Sequence, residues 1–365
     1  MKRILIVAGT RPEIIKLAPV ILAAKERTDT VQTTLCLTGQ HVQLARQALE
    51  IFDLQPDVSL DIMRPNQTLN DIAAAVFQKL PPVIAETRPD VLLVQGDTTT
   101  AAIAAQTAFH LRVPVGHVEA GLRSHDLTAP FPEEYNRRII STFARFNFCP
   151  TQGAAGQLRR EGISSETIYI TGNTVVDAVR LIVEGGNLGE PFSVDARIRP
   201  PFVLVTAHRR ESFGEGFRNI CAAIRECAER FADLQFVYPV HLNPNVQAPV
   251  RSYLDGIRNI LLIDPVPYLS LLRLLGASAF VLTDSGGIQE EAPSFGKYCI
   301  VMREKTERME SVEMGISELV GSNQAAIVSA VERQVSHPVT VRRTENPYGD
   351  GHASERIITL LARGL

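Results

Sequence analysis

Short apolar runs recur along the chain, and stretches with the spacing of amphipathic helices separate them. In the first half these runs predict strands at residues 4–9, 31–39, 90–97 and 113–121. In the second half they predict strands at residues 202–208, 235–241, 259–264, 279–285 and 298–302. Helical stretches such as 12–25 and 98–110 lie between the strands. Because parallel strands need long crossover connections, this alternation predicts an α/β protein with helices on both faces of parallel sheets.

A stretch without clear periodicity separates the two halves. Residues 183–201, VEGGNLGEPFSVDARIRPP, are rich in Gly and Pro, so we interpret them as a linker. A chain of 365 residues is also too long for one ordinary core, and it suits two domains of about 150–200 residues each. We therefore predict two doubly wound domains, with ligands binding in a cleft between the carboxyl ends of their strands.

Composition narrows the class of protein. The net charge is −3 with both signs mixed along the chain, which predicts no nucleic-acid partner. The five cysteines are scattered without a C-x-x-C pair, so they indicate neither a zinc site nor a disulfide framework. No apolar run reaches the roughly 18 residues of a membrane span, and the N-terminus lacks a signal-peptide pattern. We expect a soluble, cytoplasmic protein with no membrane partner.

Cations follow the first predicted strand. In GTRPEIIK (9–16), Pro12 suits the first turn of a helix, Arg11 lies at the strand tip and Lys16 lies about one turn further. Both cations are candidates to bind an anion in the cleft. The alternative is a capped helix start with a solvated lysine.

Carboxylates follow the later strands of the first half. Asp97 ends a strand in QGDTTTA, where its alternative role is a helix N-cap. Glu119 ends an apolar strand in GHVEAGLRS, and burying a carboxylate is costly unless it has partners or a task, so we predict a functional role for it. Glu133 and Glu134 open a helix in PFPEEYNRR, where glutamate also suits the helix dipole without any function.

Histidines end two strands of the second half. HRRES contains His208 and Arg209, and VHLNPN contains His241. Either histidine alone is more often a packed strand-end residue than a ligand. A metal site of His208, His241 and Asp284 would draw on separated strands without ligand spacing, so we predict that no metal binds.

The stretch LTDSGGIQEEAPSFGK (282–297) combines two features of a nucleotide site. Ser285 is predicted to cap a helix whose first N–H groups are left uncovered by Gly286 and Gly287, which suits a phosphate. Glu291 lies about one turn further and is a candidate acceptor for the hydroxyls of a ribose diol. With the cations at the other strand ends, these residues predict a site for a nucleotide sugar.

The sequence resembles one family over nearly its whole length. Ten motifs that are typical of the non-hydrolysing UDP-N-acetylglucosamine (UDP-GlcNAc) 2-epimerases occur in order from residue 9 to residue 351. They are GTRPEIIKLAP, TGQH, QGDTTT, HVEAGLRS, PFPEEYNRR, ITGNTVVDA, HRRES, VHLNPNV, LTDSGGIQEEAPSFGK and NPYGDG.

The resemblance implies a particular architecture. It implies two Rossmann-like doubly wound domains in a glycosyltransferase-B arrangement, with the active site in the interdomain cleft. We expect an N-terminal domain over 1–185 with the catalytic carboxylates, and a C-terminal domain over 186–350 that binds UDP. Residues 351–365 are expected to form a helix that packs back on the first domain. The resemblance also implies a homodimer and a reaction that needs no cofactor.

The implied reaction converts UDP-GlcNAc reversibly to its C2 epimer, UDP-N-acetylmannosamine (UDP-ManNAc), by eliminating UDP to 2-acetamidoglucal and adding it back. Asp97, Glu119 and Glu133 match the family's acid and base residues, and the one that removes the C2 proton stays open. His208, Arg11 and Lys16 match residues that stabilise departing UDP. The remaining matched substrate-binding residues are Arg137, Leu271, Ser285, Gly286, Gly287, Glu291 and Arg308.

Bacterial members of the family resemble one another in using a second UDP-GlcNAc as an allosteric activator. The matching positions are Gln40, His41, Gln43, Arg209 and His241. Asn66 stands where some members have an arginine in that site, which leaves retention of activation open.

Other departures from the family pattern are Leu271 in place of an aromatic residue against the uracil, Met309 and Met314 in place of Pro and Ala, and Tyr298 in place of Pro. They fit either local repacking or a modified sugar substrate, although RPE at 11–13 favours plain UDP-GlcNAc over diacetamido-uronate sugars.

Three rival functions remain. A glycosyltransferase would share the UDP site but has no use for the carboxylates Asp97, Glu119 and Glu133. A hydrolysing 2-epimerase resembles this family but lacks HVEAGLR and PEE in this form. A UDP-sugar sensor without catalysis would not need the three carboxylates either. The polysaccharide pathway that the product enters stays open.

Overall fold

The computed structural model of the chain describes residues 1–39, 42–64, 66–186, 188, 190 and 193–364, and for residues 42–44 only the backbone. The chain divides into two compact units. Unit 1 consists of Met1–Leu181 and Tyr348–Leu365, and unit 2 consists of Ile182–Pro347. The candidate linker starts differently from the prediction, because residues 183 and 184 are the last two residues of a helix.

Unit 1 is built on a parallel sheet in which seven strands are described. The strands are β1 (Lys2–Ala8), β2 (Val31–Leu37), β3 (Val58–Ser59), β4 (Val91–Gln95), β5 (Val115–Val118), β6 (Phe146–Cys149) and β7 (Ile168–Ile170). The helices are α1 (Arg11–Lys25), α2 (Val42–Ile51), α3 (Leu69–Thr87), α4 (Thr99–His110), α5 (Glu133–Phe143), α6 (Gln152–Arg160), α7 (Thr174–Glu184) and, from the C-terminus, α14 (Ala353–Gly364). The strand order is β3-β2-β1-β4-β5-β6-β7, so the winding reverses between β1 and β4.

Unit 2 repeats this plan with a second parallel sheet. Its described strands are β8 (Phe202–Thr206), β9 (Gln235–Pro239), β10 (Ile260–Ile263), β11 (Val281–Thr283), β12 (Cys299–Val301) and β13 (Ser317–Leu319). Its helices are α8 (Glu215–Arg230), α9 (Pro244–Leu254), α10 (Tyr268–Ala277), α11 (Gly286–Glu291), α12 (Met309–Glu313) and α13 (Gln324–Ser336). The order is β10-β9-β8-β11-β12-β13, so the winding reverses between β8 and β11.

These observations confirm the predicted fold class, an α/β protein with parallel sheets. Each strand predicted from an apolar run is present, because central strands such as β4 and β8 are buried along their whole length and therefore read as continuous apolar stretches. Strands β3, β6, β7 and β13 were not predicted. They are two to four residues long, and polar or partly exposed positions interrupt their sequences, VS, FNFC, IYI and SEL.

The C-terminal helix α14 packs against α1 within unit 1. Asp177 on α7 accepts hydrogen bonds from the backbone N–H groups of Ala353 and Ser354, at 3.2 and 2.7 Å, and so caps the start of α14. Within the described residues, no helix is both long and apolar enough to cross a membrane.

Candidate active site

The polar residues at the strand ends gather where the winding of each sheet reverses. In unit 1, Arg11 follows β1 and Asp97 follows β4, the two strands on either side of the reversal. In unit 2, His208 follows β8 and Asp284 follows β11 in the same way. In open parallel sheets this is the point where loops on neighbouring strands diverge and leave space for a ligand. Each unit therefore has a candidate ligand-binding edge at the position that topology favours.

Glu119 directly follows β5 and has the unusual backbone angle φ = 68° for a residue with a side chain. The residue is 9% exposed, and its carboxylate accepts hydrogen bonds from the Lys16 ammonium and from Asn173 Nδ2, the latter at 3.2 Å. A buried carboxylate in a strained backbone position next to a cation is typical of a functional site. The structure thus joins Lys16 and Glu119, two predicted site residues.

A buried glutamate, Glu13, fixes the start of α1, the helix that carries Lys16. Glu13 is 2% exposed and accepts hydrogen bonds from Gly9 N at 3.0 Å, Thr10 N at 2.6 Å and Thr98 Oγ1 at 2.8 Å. Its carboxylate therefore ties the end of β1 to the loop after β4. Burial raises the pKa of Glu13 above its ordinary value. Sequence reasoning missed Glu13, although T-x-x-E before an apolar helix is a capping-box signal.

Asp97 is held by α5. Arg137 Nη2 lies 2.5 Å from Asp97 Oδ2, and Asn136 Nδ2 donates to the Asp97 carbonyl at 2.9 Å. The alternative role of Asp97 as a helix cap is wrong, because Thr98 is the N-cap of α4 and accepts from Ala101 N. Asp97 and Arg137, both predicted site residues, are in direct contact.

Glu133 and Glu134 have different surroundings. Glu134 is fully buried and accepts hydrogen bonds from Ser124 N at 2.9 Å, His125 N at 3.3 Å and Arg138 Nε at 3.0 Å. It therefore holds the turn at 124–125. Glu133 is half-buried at the first position of α5, one turn before Arg137. Of the two adjacent glutamates, Glu133 is the one with exposed surface to offer a ligand.

His117 in the middle of β5 is a buried residue that sequence reasoning missed. Its Nε2 lies 2.8 Å from the Gly96 carbonyl oxygen, and burial lowers its pKa to about 4. The imidazole is therefore neutral at neutral pH, and Nε2–H donates to Gly96. This bond fixes the loop that carries Asp97. A histidine inside an apolar strand was the available signal.

In unit 2, Asp284 organises the turn after β8. The carboxylate is fully buried, and its Oδ2 accepts from His208 N at 2.7 Å and Arg209 N at 2.8 Å. The rings of His208 and His241 stack with centroids 5.3 Å apart. Among the residues that the structure describes, there is no group of three or more His, Cys, Asp or Glu arranged to hold a metal.

The Gly286-Gly287 helix start faces an arginine. A Cβ atom added to Gly286 would lie 2.6 Å from Arg308 Cζ, which shows how closely the guanidinium packs on this backbone. A Cβ atom on Gly287 would meet only Ser285 Oγ at 3.9 Å. Ser285 occupies the N-cap position of α11, but its side chain makes no capping hydrogen bond, contrary to prediction. The N–H groups at this helix start are therefore not covered by the Ser285 hydroxyl.

The two glutamates of α11 have separate partners. Glu290 accepts from Arg308 Nε at 2.7 Å, and Arg308 Nη1 also lies 2.6 Å from Glu307 Oε1. Glu291 accepts from the Tyr268 hydroxyl at 2.9 Å. Glu290 therefore holds the cation against Gly286, whereas Glu291 lies beside Tyr268 at the start of α10.

Comparisons with known proteins agree with this arrangement. The sequence model of the UDP-N-acetylglucosamine 2-epimerase family matches residues 23–362. A UDP-N-acetylglucosamine 2-epimerase from Yersinia pestis is 46% identical over 98% of each chain. The chain belongs to this family.

Solved structures of family members superpose closely. The enzyme from Neisseria meningitidis bound to UDP-GlcNAc has a TM-score of 0.93 at 41% identity, covering 98% of this chain and 99% of that one. The Methanocaldococcus jannaschii enzyme in complex with UDP-GlcNAc and UDP has a TM-score of 0.85 at 34% identity, covering 99% of both chains. The predicted family and enzyme class, a UDP-N-acetylglucosamine 2-epimerase, are thereby confirmed.

The family resemblance assigned further residues whose positions are now known. Arg11 is the half-buried first residue of α1, and Leu271 is half-buried on α10. Of the predicted activator site, Gln40, His41 and the side chain of Gln43 lie outside the described residues. Arg209 is half-buried, and His241 is exposed apart from its stacking on His208.

The residues that depart from the family pattern also differ in exposure. Met309 and Met314 are exposed at either end of α12. Tyr298 is buried, and its hydroxyl lies 3.5 Å from Glu318 Oε2. Burial raises the pKa of Tyr298 to about 12. Asn66 is exposed and has a positive φ.

Proposed function

We propose that this epimerase interconverts UDP-GlcNAc and UDP-ManNAc by eliminating UDP across C1–C2 to give 2-acetamidoglucal, followed by addition of UDP to the other face. The observation that carries the proposal is the set of strand-end carboxylates in unit 1, each next to a cation. Glu119 contacts Lys16, and Asp97 contacts Arg137. A glycosyltransferase or a hydride-transfer enzyme has no need for such a set.

The chemistry explains why both signs of charge are needed. The C2 proton of the sugar has no neighbouring carbonyl to acidify it, so direct removal is difficult. Departure of UDP from C1 places positive charge on the ring and makes the C2 proton removable. The reaction therefore needs groups that stabilise the departing anion and carboxylates that exchange a proton.

In unit 1, we assign the proton transfers to Asp97, Glu119 and Glu133. Lys16 contacts the carboxylate of Glu119, and Arg137 contacts that of Asp97. Glu133 lies at the first position of α5, the helix that supplies Arg137. These three carboxylates are the alternatives for the group that removes the C2 proton. Arg11 and Lys16 also attract the diphosphate.

In unit 2, we assign UDP binding to the region around α11. The backbone of Ser285, Gly286 and Gly287 offers N–H donors to the phosphates, with the guanidinium of Arg308 directly behind Gly286. Glu291 accepts hydrogen bonds from the ribose hydroxyls, and Tyr268 orients it. His208 supplies positive charge to the departing UDP when its ring is protonated. Leu271 packs against the uracil.

We also propose that a second UDP-GlcNAc activates the enzyme at a site that includes Arg209 and His241. The stacking of His241 on His208 supports this, because it puts a regulatory position in contact with a residue that acts on UDP. Any ligand that moves the His241 ring therefore changes the surroundings of His208. A sigmoidal dependence of rate on UDP-GlcNAc concentration is the expected kinetic sign.

The experiment that tests the proposed function is proton NMR of the purified protein with UDP-GlcNAc in D2O, without added metal or nicotinamide. We expect UDP-ManNAc to appear, with deuterium at C2 of both nucleotide sugars. Trace 2-acetamidoglucal with UDP on prolonged incubation is expected from escape of the intermediate. Free ManNAc with UDP would instead identify a hydrolase. Binding of UDP-GlcNAc without conversion would identify a sensor or a different substrate.

A further inference from the structure

Asp284 has a buried carboxylate oxygen whose role the turn does not explain. Its Oδ2 is fully used by the backbone N–H groups of His208 and Arg209. Its Oδ1 is buried and, within the described part of the chain, has no hydrogen-bond partner. Leaving a buried acceptor unsatisfied costs about 1–3 kcal/mol, and more for a charged group. Such an atom needs a physical explanation, and a role in catalysis is one of those that apply.

Within the described residues, the basic group recorded beside this oxygen is the imidazole of His208, which is a cation only when protonated. The distance from His208 Nδ1 to Asp284 Oδ1 is 3.8 Å, just beyond hydrogen-bond length. The carboxylate is fully buried, whereas the His208 side chain is 39% exposed. The ring therefore lies one short movement away from an Nδ1–H···Oδ1 hydrogen bond.

Three other residues act on the His208–Asp284 pair. His241, which follows β9, stacks on the ring of His208, and Arg209 lies in the same turn; both disfavour a second positive charge. Tyr238 of β9 donates its hydroxyl to the Ala207 carbonyl at 2.5 Å and is neutral at physiological pH, since burial raises its pKa well above 10. Asp284 is thus the group among these that favours a protonated His208.

We propose that Asp284 is a positioning residue that holds the imidazolium of His208 through Nδ1–H, so that Nε2–H is presented to the diphosphate of departing UDP. The inference rests on the proposed function for the role of His208. Asp284 does not touch the sugar or the phosphates in this mechanism. It acts by fixing the orientation of the ring and by favouring its charged form, as carboxylate–histidine pairs do elsewhere.

Titration behaviour supports the pairing. Burial lowers the pKa of His208, and the charge of Asp284 opposes that effect. Burial likewise raises the pKa of Asp284, while His208 opposes that rise. Each group therefore favours the charged form of the other, and binding of an anion such as UDP adds to the stabilisation of the imidazolium.

The variant Asp284→Asn tests the proposal, because an amide oxygen still accepts from His208 N and Arg209 N while the negative charge is lost. If protonated His208 is needed, activity falls as pH rises through its pKa in the complex. Loss of the carboxylate lowers that pKa, because the charge of Asp284 raises it. We expect the alkaline limb of the kcat profile to move to lower pH, with kcat lowered about tenfold or more on the alkaline side and close to wild type below the limb.

A direct readout follows the ring of His208 by NMR of protein with 15N-labelled histidine, with and without UDP. The signal is assigned by its loss in His208→Asn. Asp284→Asn is expected to lower the pKa of His208 in both states. The matched control is Asp264→Asn, which changes an exposed aspartate directly after β10 in the same sheet and is expected to leave both readouts unchanged.

A double variant separates positioning from damage to the fold. Once His208→Asn has removed the ring, Asp284→Asn is expected to lower kcat by less than about twofold more. An equal loss of kcat at every pH, with the pKa of His208 unchanged, would overturn the proposal and leave Asp284 as a turn residue. If wild-type protein did not epimerise UDP-GlcNAc, the proposed function would fail, but the NMR titration with UDP would still decide whether Asp284 controls His208.

Discussion

Replacing Gly286 with Ala tests the packing of Arg308 against the predicted phosphate site. The new Cβ would lie 2.6 Å from Arg308 Cζ and 2.6 Å from Nη1, whereas carbon atoms in contact are about 3.5–4.0 Å apart. The guanidinium must therefore retreat by roughly 1 Å. That movement opens the 2.7 Å hydrogen bond from Arg308 Nε to Glu290, whose side chain is 1% exposed.

The size of the effect follows from these contacts. Overpacking a buried site costs about 1–3 kcal/mol, and a strained ion pair with Glu290 places the effect in the upper half of that range. A loss of about 2 kcal/mol lowers the melting temperature by roughly 4–8 °C for a unit of this size. UDP loses a well-placed guanidinium as well, so we expect its affinity to fall about tenfold or more.

Gly287→Ala is the matched control for stability. Its Cβ would meet only Ser285 Oγ, at the ordinary contact distance of 3.9 Å. Differential scanning calorimetry is expected to show a lower melting temperature for Gly286→Ala alone, and isothermal titration with UDP gives the affinities. Equal melting temperatures for the two variants would refute the reasoning that Gly286 is required by the approach of Arg308.

Three further predictions concern the rest of the chain. Glu119→Gln is expected to lower kcat by about a thousandfold while UDP still binds by calorimetry; normal turnover would remove Glu119 from the mechanism. Asn173→Ala removes the 3.2 Å hydrogen bond to Glu119 and is expected to lower kcat about tenfold with KM little changed, so a change confined to KM would contradict it. Arg356 holds the pKa of Asp350 at about 2, which is below the pKa of an aspartate in the unfolded chain. The ion pair therefore stabilises the fold fully above about pH 4, and this stabilisation is lost as the pH falls towards 2. Both side chains are about half exposed, so Asp350→Asn should lower the free energy of unfolding by only about 0.5 kcal/mol at pH 7. Near pH 2 the variant and the wild type should be equally stable. If the difference in unfolding free energy stayed the same at low pH, the ion pair would not be its cause.

The strands and the residues at their ends were predictable because both leave local signals. A buried parallel strand is a continuous apolar run, and a polar residue directly after it is visible in the sequence. Arg11, Asp97, Glu119 and His208 were predicted in this way, whereas Asp284 was considered only within a rejected metal site. The topology adds that Arg11, Asp97, His208 and Asp284 follow the strands that border the reversals of the two sheets, β1 with β4 and β8 with β11.

The contacts that hold the site were not predictable, because they join distant positions. Lys16 and Glu119 are separated by 103 positions, and Glu13 and Thr98 by 85. Glu134 looked equivalent to Glu133, since both suit the first turn of a helix by the same dipole argument. Only the packing of α5 on the turn at 124–125 shows that Glu134 is fully buried. Local sequence gives the identity of a side chain, but its partners depend on the fold.

The two sheet reversals use a strand-end aspartate in opposite ways. Asp97 pairs with the side chain of Arg137, and its own side chain keeps 24% of its surface exposed, which suits the proposed contact with a substrate. Asp284 is fully buried, and one of its carboxylate oxygens accepts hydrogen bonds from two backbone N–H groups. It therefore stabilises the turn after β8 and does not contact a ligand directly. In the proposed mechanism, the same position in two similar sheets provides a reactive carboxylate in unit 1 and a support for anion binding in unit 2. An epimerase that releases and recaptures UDP while exchanging a proton at C2, as we propose, needs both.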